Sequence, residues 1–270
     1  MMYRNSARWL FTALIVGAAA CADSTGPAAG ITDAMLTRDV ANDAADVTGQ
    51  DLAAMTGIEA LAGLPLASAP ITAASAFGNC SWDVAAQMIR CPDVTTPDGL
   101  TLSRMMAFYA NGVTQQAYDA QATDSMVFGA WLKGTLTDAN RTAWLKQGRL
   151  MVVTGLSGTE TQRTWRGEGS RDDSAHVTTD NLARTTHFMS EDKFDNIVYK
   201  LPRAEFPFPQ SGTITHDVEV SATATNGSGS TTRSGTRHVV VAFNGTRTAS
   251  VTVGSTACTL DLVTRKISCP

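Results

Sequence analysis

Two stretches of the chain repeat one spacing, Cys80-Ser-Trp-Asp-Val-Ala-Ala-Gln-Met-Ile-Arg-Cys91-Pro92 and Cys258-Thr-Leu-Asp-Leu-Val-Thr-Arg-Lys-Ile-Ser-Cys269-Pro270. Placing each cysteine opposite its mate in an antiparallel hairpin sorts the residues between them by face. Trp82 then opposes Ile89, and Leu260 opposes Ile267, on the cysteine side. Ser81–Arg90, Asp83–Met88, Thr259–Ser268 and Asp261–Lys266 fall on the other side. A one-residue slip would invert both patterns, so the agreement of the two copies argues for this register. The loop is Ala85-Ala86, or four residues in the same register. Opposed strand residues stand about 5.5 Å apart, within reach of a disulfide. Closing such a loop stabilises by about 3 kcal/mol in the chain-entropy model. Four cysteines allow three connectivities. The duplicated spacing favours Cys80–Cys91 with Cys258–Cys269; the rival is a bridge between hairpins adjacent in space. The spacing suits neither zinc, which favours close CxxC pairs, nor a redox-active CxxC.

The fifth cysteine, Cys21, ends an apolar segment. Arg4 and Arg8 begin it, Trp9 to Ala20 continue it, and Ala18, Ala19 and Ala20 precede the cysteine. Such a stretch is too short to span a bilayer and reads as a secretory signal over residues 1–20. Ala18 to Cys21 resembles the lipobox of bacterial lipoproteins, departing from it at Ala18, where the family usually carries leucine. The resemblance implies diacylglycerol on the Cys21 thiol and loss of the preceding residues. Ala22 rather than aspartate after the cysteine implies the outer membrane, the protein facing the periplasm or the cell surface. The membrane, reached through the lipid, is then the first expected partner.

Without residues 1–20 the chain keeps 21 − 2 = 19 basic and 25 acidic residues, a net charge of −6. Nucleic acid, which needs a clustered positive surface, is not an expected partner. Residues 21–30 read as a flexible tether. Residues 31–69 form an acidic segment; from Cys21 to Leu61 there are seven acidic residues and one basic residue, Arg38. Ile31, Met35, Leu36, Val40, Val47, Leu52, Met55, Ile58 and Leu61 recur at helical intervals, giving one or two helices split near Gly49. The segment is a helix lying on a sheet, a spacer or an acidic stalk.

Residues 70–270 read as one antiparallel β domain. Thirteen of the last sixty residues are Thr, whose branched Cβ suits the pleat. Asn226-Gly227, Asn244-Gly245 as a two-residue hairpin, and Gly254-Ser255 mark turns of a five-strand meander ending at Cys269. Asp172-Asp173 reads as a turn, and Glu191-Asp192 as a break between strands. Pro202 to Pro209 reads as a connection, since three prolines remove ladder donors. The fold class expected is mainly β: a large meander sheet, curved, half-barrel or sandwich-like, with a short N-terminal helical segment.

No GxSxG, HExxH, P-loop or dinucleotide fingerprint occurs. His176, His187, His216 and His238 fall in expected strands, each more in keeping with a sheet residue than a ligand. Trp82, Trp131, Trp144 and Trp165 read as core or sheet-face residues. Neither catalytic residues nor a cofactor or metal is expected. The expectation is an envelope lipoprotein acting structurally or by binding another envelope component. The alternatives are a carrier of lipid or another apolar ligand, resembling in architecture the carriers of the lipoprotein-localisation pathway, and a hydrolase whose site is assembled from distant strands.

Overall fold

The computed structural model describes residues 30–61, 80–179, 182–227 and 229–270. Cys21, the signal segment and nearly all of the tether lie outside these, as do residues 62–79. One helix, α1 (Asp33–Leu61), precedes thirteen strands. These are β1 (Ser81–Asp83), β2 (Met88–Thr95), β3 (Thr101–Ala110), β4 (Val113–Gln115), β5 (Ser125–Thr137), β6 (Arg141–Thr154) and β7 (Gln162–Thr179). After them come β8 (Leu182–Lys200), β9 (Ser211–Asn226), β10 (Gly229–Ala242), β11 (Thr248–Val253), β12 (Thr256–Asp261) and β13 (Lys266–Ser268). They form one open antiparallel sheet in which spatial order follows chain order from β1 to β13, with β4 paired beside β3.

The two cysteine hairpins are the two ends of this sheet. Trp82 opposes Ile89 and Leu260 opposes Ile267, as the spacing requires. The sulfurs of Cys80–Cys91 and Cys258–Cys269 lie 2.06 and 2.03 Å apart. Their Cα atoms are 4.0 and 4.3 Å apart, closer than expected and near the spacing of a pair that shares no ladder hydrogen bonds. The first loop takes four residues, 84–87, with Asp83 Oδ1 accepting from the Ala85 and Ala86 N–H groups.

The helix is capped by Thr32, whose Oγ1 accepts from Met35 N–H at 3.2 Å, and Asp33 in its first turn suits the positive end of the dipole. It does not split at Gly49. A Cβ there would lie 2.6 Å from Arg265 Nε, so glycine lets the loop between β12 and β13 close over the helix. The helix occupies the concave face of the sheet. Its Leu36, Val40, Ala44, Met55 and Ile58 join Phe108, Phe128, Trp165, Phe194, Ile214 and Val241 in one core.

One bulge in β8, around Asn196 (φ 50), shifts its register against both β7 and β9. Arg166 of β7 donates from Nε to the Asn196 Oδ1 at 2.7 Å. A bulge bends its strand and raises the local twist, here in the middle of the sheet.

Three local expectations fail for tertiary reasons. Asp172-Asp173 is not a turn but the middle of β7, because Asp173 accepts from the Lys146 N–H and the Gln147 side chain. Glu191-Asp192 likewise lies inside β8, where the Asp192 carboxylate has its own partners. Asn244-Gly245 does not make a two-residue hairpin. Phe243 N–H donates to Gly212 O at 3.0 Å and Gly245 N–H to Pro209 O at 2.8 Å, which opens the connection to residues 243–247.

Candidate functional site

The helix is fastened to the sheet by carboxylates. Asp33 pairs with Arg237 of β10 at 2.7 Å, Asp39 with Arg184 of β8, and Asp51 with Arg149 of β6 at 2.7 Å. Asp43 accepts both Nη atoms of Arg171 of β7, at 2.8 and 2.7 Å, the two-pronged geometry that makes such a pair directional. Each arginine sits at an inward position of its strand. Arg149, for example, shares its parity with the buried Met151 and Val153.

At the inner end of this row lies a polar cluster sealed from solvent. Thr48 Oγ1 is 3.2 Å from His216 Nε2, and His216 Nδ1 is 2.8 Å from Asp192 Oδ1. Ser190 also donates to Asp192 Oδ1. Arg149 stands between Asp51 and Asp192, its Nη2 3.3 Å from Asp192 Oδ2. Thr48, His216 and Asp192 are 0, 0 and 3% exposed.

Burial pushes the Asp51 carboxyl above its ordinary range, and the charge of Arg149 offsets only part of that because Asp192 repels it. Asp192 is desolvated too. The hydrogen bond from His216 and the charges of Arg149 and Arg171 outweigh this and hold its carboxyl below the usual range. The two carboxylates share one guanidinium and diverge because only Asp192 has further partners.

A hydroxyl, an imidazole and a carboxylate in this order form the constellation that activates a nucleophile. Here the hydroxyl comes from the helix and the other two groups from the sheet. Lifting the helix to admit a substrate would carry Thr48 away from His216, so the array assembles only when closed. The array ties α1 to β9 through Thr48 and His216, and β9 to β8 through Asp192.

Asp46, half-buried on the same helix, is raised from the ordinary 3.8 to about 6 by desolvation and the charge of Asp43, against Arg265 and Arg141. A raised carboxyl favours the folded state fully below its unfolded value, and this contribution is lost as pH rises through about 6. A shift of this size corresponds to about 3 kcal/mol if fully expressed, which solvent screening reduces to about 1 kcal/mol. Asp46→Asn should therefore be about 1 kcal/mol more stable than the parent at pH 7.5 and equal to it near pH 4. Urea unfolding at both pH values checks this.

Of the residues singled out from sequence, the four paired cysteines lie at the sheet ends and Cys21 lies outside the described residues. Three histidines, His176, His187 and His238, lie on the convex face with His187 2.7 Å from Asp172 and His238 2.6 Å from Asp217. Trp165 is buried, while Trp131 and Trp144 lie exposed on the outer face. Sequence reading missed Arg149, Arg171, Asp192 and Thr48. The available signal was charge at core parity in β6, beside Met151 and Val153. Among the described residues no group of three or more His, Cys, Asp or Glu could hold a metal ion, and no helix is long and apolar enough to cross a membrane. No protein-family model, curated protein or solved structure matches the chain.

Proposed function

We propose that this chain is a lipid-anchored protein of the bacterial cell envelope that acts as a scaffold or binding module rather than a catalyst. The observation that supports a non-catalytic role is the closure of the concave face. The helix fills the face where a substrate or ligand would enter, and the hydroxyl–imidazole–carboxylate array exists only while it does. The anchor is supported by the small residues before Cys21 and the acid-free apolar segment ahead of them. Several acyl chains, at about 0.8 kcal/mol per buried methylene, would hold such a protein at a membrane.

In cell fractionation, the wild-type chain should sediment with membranes and Cys21→Ala should be released to the soluble fraction. Unchanged membrane association of the variant would remove the anchor from the proposal. The carrier reading takes support from the curved sheet, but demands that the helix leave an interface holding five fully or nearly fully buried apolar side chains, Leu36, Val40, Ala44, Met55 and Ile58.

A further inference from the structure

The sheet has an unpaired edge in its interior as well as at its ends. Strand β10 pairs with β9 along all of Gly229–Ala242, but β11 pairs only with Val239–Ala242. Among the described residues, no strand lies beside Gly229–His238 on that side. Gly254 N–H donates to His238 O, so the N–H and C=O of His238 face β11. Backbone groups of alternate residues in a strand point to the same side. Those of Ser230, Thr232, Ser234 and Thr236 therefore face the open edge. The Thr236 carbonyl is taken by Arg237 Nη1 at 2.8 Å. Residues 229–234 are all exposed.

The helix shows what is missing there. Ala41, Ala45 and Gly49 stack along one side of α1, one turn apart, and are buried; Arg265 lies over Gly49. Ala34 and Arg38 continue that side toward the N-terminus and are exposed. Strands β11–β13 thus wrap one half of the helix and stop short of the other. Beside the gap stand two exposed cations, Arg38 on the helix and Arg233 on the inward row of β10; Arg233 is 3.8 Å from the highly exposed Asp33.

We propose that this edge is a strand-addition site for an extended, acidic segment of a partner protein. The added strand takes the ladder positions of Ser230 to Thr236 and turns alternate acidic side chains inward toward Arg233 and Arg38. Backbone hydrogen bonds supply affinity, and the inward row supplies selection for negative charge. A second copy of this chain fits less well. Two copies of this edge paired antiparallel across residues 230–236 set Arg233 against Arg233, and like charges directly opposed are unfavourable. The proposal extends the binding reading, and it does not depend on the anchor, so the Cys21→Ala result and the following test can fail separately.

The test uses the disulfide-intact chain and a synthetic peptide, Thr-Glu-Val-Glu-Thr-Glu-Val, capped at both ends. Binding should slow amide exchange at Thr232 and Ser234 at least tenfold, with no such change at Val218 or Val220. The peptide with lysine for each glutamate should bind at least tenfold more weakly. Ser234→Pro removes an outward N–H and no bond to β9, and should weaken binding at least tenfold. Where that variant does not fold, N-methylation of alternate peptide amides probes the same ladder on the unaltered protein and should abolish binding. The proposal is overturned by equal binding of the acidic and basic peptides, by no binding, or by slow exchange at Thr232 and Ser234 in the free monomer. A concentration-dependent dimer that protects those amides without peptide overturns it in favour of a second copy.

Discussion

Arg149→Ala is expected to lower the unfolding free energy at pH 7 by about 3–5 kcal/mol, the cost of breaking a buried ion pair from one side. Arg149 is the cation between Asp51 and Asp192, and its Nη1 also donates to Gly148 O at 2.9 Å. Alanine leaves two carboxylates facing each other out of water. Asp51, already raised by burial, would rise further. A raised carboxyl costs stability as pH climbs through its folded value, so the deficit should shrink at pH 5. Arg149→Lys keeps the charge without the fork and should fall between. Adding Asp51→Asn to Arg149→Ala should recover part of the loss, because one of the stranded charges is gone. Urea unfolding of the four proteins at pH 7 and pH 5 decides the matter. A loss under about 1 kcal/mol for Arg149→Ala would show that the cluster does not hold the helix.

The second large effect is at Gly212. This residue sits at the start of β9 with φ +103, a conformation L side chains rarely adopt. A Cβ would stand 2.3 Å from Asn196 O and 2.6 Å from Ile197 Cα, both of them backbone at the β8 bulge. Neither can swing aside as a side chain end would. Gly212→Ala is expected to cost about 3 kcal/mol or more, combining backbone strain with displacement of the bulge. Gly227 in the β9–β10 turn is the matched control, with nothing within 4 Å of its Cβ position, and Gly227→Ala should cost under about 1 kcal/mol. Thermal unfolding of both variants compares them directly. Similar midpoints would mean that the bulge yields freely and does not set the curvature.

These two sites mark the limit of what the sequence discloses. The cysteine hairpins were legible because an alternating pattern and a covalent partner constrain the same eleven-residue interval twice. The five-strand meander from β9 to β13 was legible because glycine-containing turns punctuate Thr-rich runs. The polar cluster was not. Asp172-Asp173 and Glu191-Asp192 look like breaks, since carboxylates in a strand are unfavourable unless paired. Their partners Lys146, Gln147, Arg149 and His216 lie 24 to 43 residues away in sequence, on other strands of the sheet. The Asn244-Gly245 turn failed for the same reason, through bonds to Pro209 and Gly212 that no local signal announces. Helical periodicity found the helix but could not say that its aspartates, rather than its apolar residues alone, face the sheet.

The helix–sheet pairs run in opposite directions along the two parts of the chain. Asp51 meets Arg149, Asp43 meets Arg171, Asp39 meets Arg184 and Asp33 meets Arg237. Read from the C-terminal end of the helix to its N-terminal end, the partners come ever later in the chain. A polypeptide is made from its N-terminus, while a domain generally folds as a unit. The helix therefore exists as sequence long before its first counter-ion, 98 residues on from Asp51, and its last comes 204 residues after Asp33. A meander grows hairpin by hairpin through contacts near in sequence, which close quickly, whereas the helix is held by contacts among the most distant in the chain. If the strands dock in the order in which they emerge, the helix is fastened from Asp51 toward Asp33. The last of these helix carboxylates, Asp33, finds its partner only once β10 is in place.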